Sequence, residues 1–104
     1  MCVTLVDKPE NVQLKTSVMD NKACKGDMIG FKCSADASPS VTSYQLFEND
    51  TAILDTNPSG MWTRNVSNRG VFTYRCMANN SLGSEVSSFV MVTVNGKLLT
   101  LQIS

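Results

Sequence analysis

The chain predicts an all-β sandwich, on three observations. Short apolar segments separated by turn residues run along its whole length, and no 3.6-residue apolar stripe is sustained. Its 104 residues match the usual size of one domain and suffice to close one core. Apolar residues make up 42% and charged residues only 17%, a balance that suits two buried sheet faces and not a disordered chain.

The elements follow in order. Pro9 lacks the N–H that a central strand would use, so the first extended stretch is expected at a sheet edge and broken there. Val12 and Leu14 then alternate inward. The polar, glycine-bearing run "DNKACKGD" is read as the first turn. Ile29, Phe31 and Cys33 share one face of the next strand, with Met28, Gly30 and Lys32 on the other. "ASPSV" breaks the chain. Tyr44 and Leu46 face the core from "TSYQLFEND", which leaves Gln45 and Phe47 outward. "NPSG" turns into "MWTRNVS", and "VFTYRCMA" and "SSFVMVTV" complete the strands. At the end of the chain, Asn95-Gly96 lies between two apolar runs. It is read as a linker, with residues 1–95 forming the domain and 96–104 a linker or the start of a following domain. A terminal hairpin is the alternative.

Composition excludes several functions. Nine basic residues balance nine acidic ones; no basic cluster is long enough to track a phosphate backbone, so no nucleic acid is expected. No apolar run approaches the roughly 20 residues that span a bilayer, so direct membrane insertion is not expected. No apolar signal segment follows Met1, so a secreted domain of this sequence is expected to be a piece of something larger. The chain contains no histidine, which removes the commonest general base and any Ser-His or Cys-His pair. Without histidine or a Cys-x-x-Cys, a zinc site is not expected either. No enzyme activity, cofactor or metal is anticipated.

Cys33 on its alternating strand in "MIGFKCSA", Cys76 43 positions later, and the Tyr74-x-Cys76 entry in "GVFTYRCMANNSLGSE" resemble the immunoglobulin superfamily. The resemblance covers roughly residues 10 to 94. It implies an immunoglobulin-like two-sheet Greek-key sandwich in which Cys33 and Cys76 bridge the sheets and the Tyr74 hydroxyl ties a loop back to the backbone. In the chain-entropy model such a bridge stabilises by roughly 4 kcal/mol. The cysteine spacing leaves no room for the two extra strands of a variable-type domain. Ala78, Asn80 and Gly83 match the Ala-x-Asn-x-x-Gly hairpin of I-set and related short sandwiches, whose turn needs positive φ. Two features depart from the family pattern. The tryptophan usual on the third strand is replaced near Leu46, the sole tryptophan being Trp62, and the aspartate common before the tyrosine is replaced by Gly70. Cys24 precedes Cys33 by roughly 30 Å of extended chain, and a Cys2–Cys24 bridge is not expected. A pairing with a neighbouring domain, or a truncated strand that lets the two meet, stays open.

Three Asn-x-Ser/Thr triplets, at Asn49, Asn65 and Asn79, are candidate glycosylation sites. Together with the implied disulfide they point to the secretory route and an extracellular or cell-surface location. Anchoring on inward Cys76 turns Arg75 and Met77 outward. Taking Val90, Val92 and Val94 inward turns Phe89 and Met91 outward. With Phe47, these residues form a candidate apolar binding patch containing one cation. Taking Val66, Met61 and Thr63 as inward leaves Trp62 facing solvent as a rival contact. The resemblance implies a recognition or spacer module of a multi-domain adhesion or receptor protein. Its expected partners are another protein, a second copy included, and neighbouring domains of the same chain. The alternative is a structural domain of an intracellular muscle or cytoskeletal filament, with reduced cysteines and unused triplets.

Overall fold

The computed structural model describes residues 7–96. Its strands are β1 (Asp7–Thr16), β2 (Lys22–Cys24), β3 (Met28–Ser38), β4 (Ser43–Glu48), β5 (Thr51–Ala52), β6 (Met61–Asn65), β7 (Gly70–Asn80), β8 (Gly83–Val86) and β9 (Val90–Asn95). They form two sheets, one ordered β1-β3-β6 and the other β2-β9-β7-β4-β5, with β8 also paired to β7. The expected two-sheet sandwich is therefore present.

β1 does lie at a sheet edge, but Pro9 does not break it. The strand continues through register shifts on either side of Glu10, where Asn11 takes φ 53°, so the missing N–H is absorbed by a bulge. A second correction concerns "DNKACKGD". After Thr16 the chain crosses between sheets through a turn at Met19–Asn21, where Asp20 and Asn21 have positive φ. It then forms β2, parallel to β9 with Lys22 opposite Thr93. Ala23 is the one buried apolar anchor of that strand, too short a signal to mark a strand inside a polar run.

The core is built as alternation requires. Ile29, Phe31 and Cys33 from β3 meet Leu46, Tyr74, Cys76, Ala78, Val92 and Val94 from the other sheet, all buried. Cys33 and Cys76 are joined by the bridge that the resemblance implied, with Cα atoms 6.1 Å apart. Phe31 and Tyr74 pack ring to ring at 4.6 Å. Cys24 is a half-buried free thiol; Cys2 and residues 97–104 lie outside the described residues.

Trp62 is a third correction. It is 7% exposed and packs into the core, whereas Met61 is 59% exposed and Thr63 faces out. A period of two from Val66 runs through Arg64 to Trp62, so the odd-numbered positions of β6 face solvent. Leu46 fills the usual tryptophan position on β4 with no exposure. The tryptophan enters instead from the opposite sheet, beside Phe31, with its indole N–H donating to the Asp55 carbonyl at 3.0 Å.

Turn chemistry explains the connections. Asn57 closes "NPSG": its Oδ1 accepts the Gly60 N–H at 2.6 Å and its Nδ2 donates to the Met61 carbonyl at 3.0 Å. Asn49 and Asp50, at φ 50° and 67°, form the two-residue hairpin between β4 and β5. Asn80 and Gly83 face each other across Ser81-Leu82, with positive φ at Gly83. Asn80 Oδ1 accepts the N–H groups of Leu82 and Gly83.

Candidate interaction face

β4, β7 and β9 lie side by side, and their registers determine which outward side chains meet. Phe47 pairs with Arg75, Gln45 with Met77, and Thr73 with Met91. Phe89 immediately precedes Val90, the partner of Tyr74, which brings its ring beside Arg75. All five residues of the expected patch share this face. Phe89 and Met91 are 54% and 53% exposed, while Phe47, Arg75 and Met77 are half-buried.

Arg75 is the centre of the face. Its guanidinium lies 5.8 Å from the Phe47 ring centroid and 5.1 Å from that of Phe89, within cation–π range of both. Its Nη2 pairs with Asp50 Oδ1 at 3.1 Å. Its Nε is buried without a hydrogen-bond partner among the described residues. The cation is thus clamped between two rings, and a carboxylate beside it, Asp50, projects from the β4–β5 turn. Such a platform suits a flat apolar contact better than a deep ligand pocket.

Sequence reasoning missed three residues of this face. Val71 is 57% exposed and Val86 38% exposed; the first lies on the same alternation as Arg75, and the second faces Met77 across the β7–β8 hairpin. Asp50 carries no periodic signal because it sits in a turn.

The end of the sandwich departs from the expected tyrosine arrangement. The Tyr74 hydroxyl donates to Glu48 Oε2 at 2.7 Å and not to backbone. Glu48 also accepts from Arg64, at 3.0 Å from Nε and 3.2 Å from Nη2. An arginine from β6 is thereby paired across the sandwich after all, with its carboxylate supplied by β4. Burial pushes the Tyr74 phenol well above its ordinary value of 10.0, and the Glu48 carboxylate adds to the rise; Arg64 opposes it.

The three triplets are distributed over both sheets. Asn49 is exposed in its turn, with Oδ1 accepting from the Thr73 N–H and hydroxyl. Asn65 is exposed at the end of β6, with Nδ2 donating to the Gly26 carbonyl at 3.1 Å. Asn79 is half-buried on β7 beside Ser43. Among the described residues no three His, Cys, Asp or Glu side chains are grouped to hold a metal.

A family model described as immunoglobulin domain matches residues 8–94. No curated protein matches the sequence. Among solved structures, the fibronectin(III)-like modules of Clostridium thermocellum CbhA are similar, with TM-score 0.68 at 13% identity, covering 84% of this chain and 99% of that one. That likeness concerns the fold. The family match spans nearly all of the described sandwich, and the chain belongs to the immunoglobulin domain family.

Proposed function

We propose that this immunoglobulin domain is a protein-recognition or spacer module of a multi-domain extracellular adhesion or receptor protein. The β4-β7-β9 face is its docking surface for another protein, a second copy included. The observation that carries this reading is Arg75 clamped between Phe47 and Phe89, with Met91 and Val71 exposed around it. A preorganised cation and rigid aromatic rings cost little entropy to order on binding. The Cys33–Cys76 bridge supports an oxidising compartment over a filament interior. Recognition is favoured over catalysis because the chain has no histidine and its clustered polar groups, Glu48, Arg64 and Tyr74, are spent on one another.

Sedimentation velocity across a concentration series, with the native domain and Met91→Arg, tests the face. A concentration-dependent dimer weakened at least about tenfold by the substitution, a hot-spot cost of about 1.4 kcal/mol or more, supports self-recognition there. A strict monomer at every concentration removes self-association and leaves a spacer, or a receptor for a different protein.

A further inference from the structure

The outer face of the β1-β3-β6 sheet carries a second surface of different character. Alternation turns Met28, Gly30 and Lys32 outward on β3, and Met61, Thr63 and Asn65 outward on β6. Register arranges them in rows: Met28 beside Asn65, Gly30 beside Thr63, Lys32 beside Met61. On β1, Lys15 faces Lys32, and Ser17 exchanges hydrogen bonds of 2.9 Å with the Gly30 backbone. The middle row is therefore made of small residues between two tall ones. The result is an open trough of ≈ 460 Å³ over Gly30, walled by Met61 and the two lysines. Met28 and Met61 are 61% and 59% exposed.

Asn65 stands one row from this trough, about 7 Å along β6, and begins the triplet Asn65-Val66-Ser67. Its Nδ2 donates one hydrogen to the Gly26 carbonyl at 3.1 Å, in the turn before Met28, which leaves the other for attachment. We propose that the trough is a carbohydrate seat, occupied by the first sugars of an N-linked glycan carried on Asn65. The inference rests on the secreted reading above. Attachment transfers the sugar's anomeric carbon from a polyprenyl-pyrophosphate donor to Nδ2; the sugar–phosphate bond breaks, the pyrophosphate leaves, and one amide proton passes to solvent. Nδ2 keeps its other hydrogen. A pyranose has an apolar C–H face and a rim of hydroxyls. The first lies against Met61 and the lysine stems; the second meets the hydroxyls of Ser17 and Thr63. Covalent tethering supplies the high effective concentration that such a shallow site needs.

The domain is produced in a mammalian secretory host, and occupancy of each triplet is read by peptide mass. NMR then compares the glycosylated protein with Ser67→Ala, which lacks the triplet, and with Gly30→Val. The added valine side chain projects into the trough floor, and its Cβ meets Ser17 no closer than 3.6 Å. Expected are a shifted Met61 methyl resonance and cross-relaxation from sugar protons to Met61 and Thr63, both lost in Gly30→Val with Asn65 still occupied. An occupied Asn65 without cross-relaxation to this face overturns the seat. A bare Asn65 with sugar on Asn49 or Asn79 overturns the proposal and spares the secreted reading. No sugar on any of the three overturns both.

Discussion

Gly60 occupies a position that no other residue fits. Its φ is +73°, and a Cβ there would lie 2.5 Å from the Cys33 carbonyl oxygen and 3.1 Å from the Tyr44 ring. The same residue's carbonyl accepts the Cys33 N–H at 2.7 Å, so the turn is pressed against the disulfide. Gly60→Ala combines left-handed strain with a backbone clash and is expected to cost at least about 2 kcal/mol; a urea midpoint unchanged from the native one refutes this. The turn itself was legible, since "NPSG" is turn chemistry in any context; its contact with Cys33 was not. Trp62 shows the opposite case. Its facing was present in the parity of β6, but that parity also turns Arg64 inward, which makes sense only once Glu48 and Tyr74 are placed against it.

Among the elements, β3 and β7 were the easiest to read because each alternates over 11 residues. β2 and β5, with three and two residues, are set by pairing partners distant in sequence and leave no local period. The tie joining β4, β6 and β7 through Glu48 was likewise hidden, since nothing local says which carboxylate will reach which arginine. Its energetics have a pH signature. The Tyr74 phenol is raised in the folded state, so the folded domain holds its proton more tightly than the unfolded chain does. The resulting stability is complete below the unfolded value of about 10 and falls as pH rises beyond it. Denaturation midpoints should therefore drop above about pH 10, and Tyr74→Phe should lose part of that drop. Parallel pH profiles for the two proteins would remove Tyr74 as the cause.

At the scale of the whole molecule, the two sheets present different outer surfaces. One carries two phenyl rings around a cation with methionines beside them; the other carries a shallow trough bordered by lysines. The patch was legible because it depends only on alternation from Cys76 and the β9 valines. The trough was not, because it arises from three small residues that meet only through register.

The parallel pairing of β2 with β9 has a mechanical consequence. Tension applied between residues 7 and 96 drags these strands in opposite directions along a common axis. The bonds between Lys22–Cys24 and Thr93–Asn95 are then sheared together and not unzipped one at a time. Once they give way, the Cys33–Cys76 bridge, spanning 43 positions, keeps the middle of the chain from lengthening. In single-molecule pulling, a reductant should lengthen each rupture by about 150 Å, the reach of the freed segment; equal steps with and without it would mean that the bridge does not close in solution. A domain that yields suddenly but releases only about half of its chain behaves as a tether with a fixed stop.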